Sequence, residues 1–248
     1  MHTVARALWL TLLVALMGGA ALGQEAAPPP QGIKVHMHGL EPGYAADGYL
    51  FQPQGRGPFG AVLLIPDSRG IQDYIRLQGQ ALADAGVVAV AIDLFRGQPP
   101  KAGDASEQNN IADLSAAVNF LHSMASVSPA KLGVAGWGSG ASYALRLARS
   151  DSRVVAVALA VPDALQPADF SGTHAALLGI FGEHARSQLQ ATATQRRARG
   201  CTADFYFDPK NQGRFYDPQD VSASSLEQAA HTRKQVEDFF THVLAIPR

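Results

Sequence analysis

From residue 33 onward, short apolar runs rich in Val, Ile and Leu alternate with longer amphipathic segments, and the alternation persists to the end of the chain. Runs such as Val87-Val-Ala-Val-Ala-Ile92 have no polar face. A strand of that kind must be covered on both sides, which parallel strands joined by crossover helices achieve. The runs predict strands at Ile33–His38, Gly48–Gln52, Ala61–Ile65, Val87–Ile92, Lys131–Ala135, Val154–Ala160, Ala175–Phe181 and Cys201–Phe207. Helices are expected at Asp73–Ala85, Glu107–Met124, Ser139–Ala148, Ser187–Ala198 and Ser222–Leu244, with Gly86 placed as a left-handed cap after the first. The expected fold class is therefore α/β: a mostly parallel central sheet of about eight strands flanked by helices.

The amino terminus reads as an address. Residues 1–23 carry a weakly basic start (His2, Arg6), an apolar stretch from Ala7 to Met17 and a small-residue close at Ala21-Leu22-Gly23. This is the pattern of a secretory signal peptide, and it falls short of the roughly 20 apolar residues a membrane span needs. Residues 24–32, with three successive prolines, read as a linker, and residues 33–248 as one domain. The expected location is exported, periplasmic or secreted, with no membrane attachment after cleavage. Twenty Lys plus Arg against 21 Asp plus Glu give a formal charge of -1, so no electrostatic footprint favours a nucleic-acid partner. Cys201 is the single cysteine, which excludes an internal disulfide and any zinc site with two thiolates. It is expected to be a buried structural thiol. His36 and His38 share one strand face without a third ligand nearby and read as a surface pair, so no metal is expected.

The most informative stretch is Gly136-Trp137-Gly138-Ser139-Gly140, where an apolar strand turns into a helix. One chemistry using that shape is the nucleophile elbow, G-x-Nuc-x-G, whose small flanking residues let strand and helix pack closely. The other is a dinucleotide fingerprint, whose spacing Gly136, Gly138 and Ala141 also fit, with Asp163 after the next strand. That second use belongs at the first strand of a sheet, whereas this turn follows several. No cofactor is expected.

The order of parts decides between them. Ala61-Val-Leu-Leu-Ile-Pro66-Asp67-Ser68-Arg69-Gly70-Ile71, then Leu82-Ala-Asp-Ala-Gly86 running to Asp93-Leu94-Phe95-Arg96-Gly97, then the glycine turn, Gly182-Glu183-His184 and a last helix ending Val236-Glu-Asp-Phe-Phe240 together resemble the dienelactone hydrolase family of α/β-hydrolases. The resemblance runs from about Gly48 to the carboxyl terminus. It implies an α/β-hydrolase fold and a small-molecule ester, lactone or carboxylate ligand, and it leaves the oligomeric state open. It also places the family's nucleophile at Gly138, its acid at Ala185 and its base at Gln212, none of which can play the part. The implied protein is a catalytically impaired hydrolase, a pseudoenzyme retaining a pocket, with ester or lactone hydrolysis by noncanonical residues as the alternative.

Around that pocket the resemblance and the residue types nominate Asp67, Ser68, Arg96, Trp137, Ser139 and Arg214 as ligand-binding. Asp67 and Ser68 read equally as a turn carboxylate with a hydroxyl cap. Arg96 and Arg214 suit a carboxylate ligand, or are solvated surface arginines. Trp137 either caps the pocket or packs beneath the turn. Ser139, one place past the nucleophile slot where the family uses the backbone N–H for its oxyanion hole, is a helix cap or an outside candidate for the nucleophile.

Overall fold

The computed structural model describes residues 30–38, 45–94, 106–160, 165–209 and 222–246. Eight strands form one sheet in the order β1-β2-β4-β3-β5-β6-β7-β8. They are β1 (Ile33–His38), β2 (Ala45–Phe51), β3 (Phe59–Ile65), β4 (Val87–Asp93), β5 (Val127–Trp137), β6 (Val154–Ala160), β7 (Ala176–Gly182) and β8 (Ala203–Asp208). β2 runs antiparallel to β1 and to β4, and the remaining neighbours are parallel. The helices are α1 (Asp73–Asp84), α2 (Ser106–Ser123), α3 (Gly140–Ser150), α4 (Arg186–Ala198) and α5 (Ala223–Val243), with short 3-10 turns at Pro167–Phe170 and Glu183–Ala185. The predicted signal peptide and nearly all of the linker lie outside the described residues. Among the described residues no helix is long and apolar enough to cross a membrane.

Two apolar layers hold the sheet, and the period-two alternation of each strand sorts residues between them. Ala61, Leu63 and Ile65 of β3 pack with Leu114 of α2, Leu145 of α3 and Leu189 of α4. Val62 and Leu64 point the other way, toward Ile75 and Leu82 of α1 and Val236 and Phe240 of α5. Strands covered on both faces are thus continuous apolar runs for a physical reason. Gly86, just past α1, has φ +87°, the left-handed conformation its position requires.

α3, the helix that follows the glycine turn, is anchored at both ends. Ala141, Ala144, Leu145 and Ala148 form its buried stripe at helical spacing. At its far end the Asp151 N–H donates to Leu147 O at 2.8 Å. The Asp151 carboxylate accepts from the Arg153 backbone N–H at 3.0 Å and from its guanidinium at 2.9 Å, and Arg153 also donates to Asn119 on α2. Hydrogen bonding from Arg153 holds the Asp151 carboxyl below its ordinary value of 3.8. A carboxyl lowered in the folded state contributes stability above its unfolded pKa and loses it as pH falls through the folded pKa. Asp151→Asn is therefore expected to destabilise the protein at neutral pH, with the deficit shrinking below about pH 4 in urea titrations across the acid range.

Candidate functional site

The register of the sheet brings the sequence-predicted loops to one edge. Ile65 of β3 pairs with Gly136 of β5, Trp137 of β5 with Ala160 of β6, Ala160 with Ile180 of β7, and Gly182 with Asp208 of β8. The turns holding Asp67, Gly138 and Ala185 therefore stand beside one another at the carboxyl ends of the strands, where open α/β sheets bind their ligands.

Each glycine of the central turn answers to a different constraint. A Cβ on Gly136 would lie 2.6 Å from the Ala141 Cα, and one on Gly140 would lie 2.5 Å from Pro66 O. The outer two glycines thus let α3 press against the ends of β5 and β3. Gly138 has φ +50°, in the left-handed region. Its N–H donates to Ala160 O at 3.2 Å, and its carbonyl accepts from the Ala141 N–H at 3.2 Å. The apex of the turn therefore presents main chain and no side-chain atom.

Ser139 stands at the cap position of α3 but does not cap it. Its backbone is already helical at φ -61° and ψ -28°, and its side chain makes no capping hydrogen bond. Side-chain capping needs an extended backbone at that residue, which the sharp turn does not leave it. Its Oγ is buried without a hydrogen-bond partner among the described residues. A buried hydroxyl left unpaired costs about 1 to 3 kcal/mol. Ser139→Ala is accordingly expected to raise the thermal midpoint by about 2 to 4 °C per kcal/mol recovered, with esterase activity unchanged. A fall in either would reveal a hidden partner or a nucleophile.

Asp67 is nine-tenths buried and fully engaged. Its Oδ1 accepts from the Arg69 backbone N–H at 2.9 Å and its Oδ2 from the Arg69 Nε and Nη2 at 3.0 and 2.7 Å, while the Gly70 N–H donates to Asp67 O at 3.0 Å. It is a turn carboxylate locked by an arginine two residues on, a pairing the sequence reading missed. Ser68 beside it is exposed. Trp137 is buried on the α1 side, its ring 6.2 Å from that of Tyr74, so it packs beneath the turn.

After β7 the chain makes a 3-10 turn at Glu183–Ala185, across which Arg186 reaches back to Glu183. Arg186 Nε lies 2.5 Å from Glu183 Oε1 and Nη2 lies 2.9 Å from Oε2. That bidentate pair keeps the Glu183 carboxyl below the usual carboxylate range. His184 is exposed, and Ala185 packs onto the core. Gln212, Arg96, Arg214 and Asp163 lie outside the described residues.

Two other residues singled out in the sequence lie at a distance from this edge. His36 on the outermost strand places Nδ1 2.5 Å from Asp47 Oδ1 on β2, and no group of three metal-ligating side chains occurs among the described residues. Cys201 is free but only half-buried, because β8 begins at Ala203, two residues later than predicted.

A profile of the dienelactone hydrolase family matches residues 46–244, most of the chain. The chain belongs to that family. A Bradyrhizobium protein named as a 2-oxo-3-(5-oxofuran-2-ylidene)propanoate lactonase is 34% identical over 122 residues, covering 44% of this chain and 48% of that protein. A Methylorubrum extorquens protein named as a carboxymethylenebutenolidase is 27% identical over 241 residues, covering 84% of this chain and 79% of its own. This dienelactone hydrolase-family chain also shares its fold with a dienelactone hydrolase-like promiscuous phosphotriesterase from metagenomic libraries, at 18% identity and a TM-score of 0.68 over 85% of this chain and 97% of that one.

Proposed function

We propose that this protein is an exported dienelactone hydrolase-like pseudo-hydrolase, which holds a small ester, lactone or carboxylate at the strand edge without turning it over efficiently. One observation supports the reading: the apex of the Gly136–Gly140 turn, where the sequence resemblance puts the family's nucleophile, is Gly138 at φ +50°. Nothing there can attack a carbonyl. The Ser139 N–H at the start of α3 remains suited to hold a ligand oxygen, since the first N–H groups of a helix favour negative charge. Export rests on the signal-peptide pattern of residues 1–23.

The neighbouring carboxylates offer little rescue. Asp67 and Glu183 are each bound by an arginine of their own loop, so neither is placed to take a proton from a nucleophile. Losing the nucleophile of a triad costs on the order of a millionfold in turnover, leaving about 10³ to 10⁴ over water from oxyanion contacts and binding. A second reading, lactone or ester hydrolysis through Asp67, Ser139 or Glu183, draws on the lactonase and butenolidase names of the two relatives.

One experiment separates the readings. With p-nitrophenyl acetate the purified protein is expected to show no burst, no acyl adduct by intact-mass spectrometry, and the same slow rate as a Ser139→Ala Asp67→Ala variant. Small lactones and carboxylates are expected to raise its thermal midpoint by mass action. A covalent adduct on the 136–140 turn would establish the second reading instead.

A further inference from the structure

Among the described residues, the far edge of the sheet forms an open lane that the strand-edge site does not use. α4 covers one face of β8, while α5 lies over β6 and β7 and against α1. The α5 side of β8 is left as an open trough of about 610 Å³, with Leu178, Asp204 and Tyr206 on its floor and Asp238, Phe239 and His242 of α5 on its wall. It continues past Tyr206 and Gln235 into a further 240 Å³ beside His231. Tyr206 is 50% exposed there, although it is a large aromatic on a strand.

The edge itself is closed to a further strand. The Leu177 N–H donates to Thr202 O, so Thr202, Asp204 and Tyr206 turn their backbone groups to β7 while Ala203, Phe205 and Phe207 turn theirs outward. Two outward carbonyls are already taken: Arg197 Nη1 donates to Ala203 O at 2.6 Å and Arg186 Nη2 to Phe207 O at 3.3 Å. An added strand would have to displace both arginines. A partner must therefore lie on the face, not along the edge.

Charge and shape narrow the occupant. Among the described residues no lysine or arginine lines either part of the trough, and its walls carry Asp204, Asp208 and Asp238 with His231 and His242. Lys234 pairs with Asp238 from outside the trough. A second copy meeting this face across a two-fold axis would set these carboxylates against their own equivalents. The floor strand is about 20 Å long, too long for one small molecule and suited to about 14 helical residues. We propose that this lane docks a basic amphipathic helix of a partner protein, its apolar stripe on Leu178, Tyr206 and Phe239 and its Lys or Arg side chains beside Asp204 and Asp238.

The test uses an 18-residue amphipathic peptide of leucine and lysine, with a leucine–glutamate counterpart, against the purified protein. The lysine peptide is expected to perturb amide resonances of residues 202–208 and 235–243. Its affinity is expected to fall at least tenfold in Asp204→Lys and in Tyr206→Ser, two exposed positions whose variants are checked for an unchanged thermal midpoint. Should Asp204→Lys not fold, Asp204→Asn serves with an expected threefold loss. Equal binding of the glutamate peptide, perturbations confined elsewhere, affinity unmoved by these substitutions, or sedimentation as a dimer sensitive to Asp204→Lys would each overturn the proposal.

Discussion

Gly136→Ala is expected to destabilise the protein by about 3 kcal/mol or more and to abolish ligand-induced thermal stabilisation, whereas Gly138→Ala is expected to cost only about 1 to 2 kcal/mol. The difference follows from what each added methyl meets. At Gly136 it would fall 2.6 Å from a Cα of α3 and still nearer to the Gly140 carbonyl oxygen, both backbone atoms that cannot rotate away. Relief requires α3 to lift off β5, carrying the Ser139 N–H away from the strand edge. At Gly138 the backbone holds a left-handed φ of +50°, which side chains adopt at modest cost. Urea titrations of both variants and of Gly140→Ala measure the ordering. A Gly138→Ala variant as unstable as the other two would mean that close packing, and not backbone conformation alone, fixes glycine at the apex.

That ordering bears on why the apex lacks a nucleophile. Glycine at the outer positions is dictated by contact between strand and helix and would be needed whatever the chemistry. At the apex, where the resemblance puts the family's nucleophile, Gly138 offers no reacting side chain, and the Gly138→Ala measurement tells whether packing or backbone conformation sets that choice. Gly138→Ser alone is expected to leave p-nitrophenyl acetate turnover unchanged, because the carboxylates of the neighbouring loops, Asp67 and Glu183, are each held by an arginine.

The parts of this architecture that were legible in the sequence are those whose cause is local. β1 and β6 match their predicted spans residue for residue, β6 because its side chains are buried or half-buried, and β1, where only Met37 is buried, through its antiparallel register with β2. β5 begins four residues earlier than its apolar run, because Val127 pairs with Phe59 ahead of an irregularity in which Ser128, Pro129 and Ala130 are not buried and leave no hydropathic trace. The spacing of the glycine turn was readable because each of its glycines answers to backbone geometry. The Arg69 and Arg186 pairings were not, since an ion pair leaves no periodicity, although the offsets of two and three residues from Asp67 and Glu183 are those at which short turns bring such groups together. The 3-10 turn at Glu183–Ala185, three residues long, is likewise too short to leave a periodicity.

Arg196→Met is expected to lower stability by on the order of 4 kcal/mol and the thermal midpoint by roughly 10 °C while leaving ligand affinity at the strand edge intact. Arg196 is 7% exposed and has no carboxylate partner among the described residues. Its guanidinium instead donates to Phe170 O at 2.9 Å, Thr173 O at 3.0 Å and Ala175 O at 2.9 Å, tying down the chain between the Pro167–Phe170 turn and β7. Burial pushes its pKa down, yet an arginine keeps its proton, so the charge is balanced by carbonyl dipoles rather than by an anion. Methionine fills a similar volume and accepts the apolar surroundings, but it leaves three buried carbonyls unpaired. Arg196→Lys keeps the charge and supplies only a compact ammonium where a planar fork met three acceptors, so about half of the loss is expected to remain. These carbonyls precede β7, at the opposite end of the strand from Gly182 and the Glu183 turn. The scaffold can therefore be weakened at its base without moving the Ser139 N–H, and denaturation midpoints measured with and without a stabilising lactone should fall in parallel. If the ligand-induced shift vanished in Arg196→Met while the protein remained folded, the site would extend through β7 to its base, and confinement of binding to the carboxyl edge would be wrong.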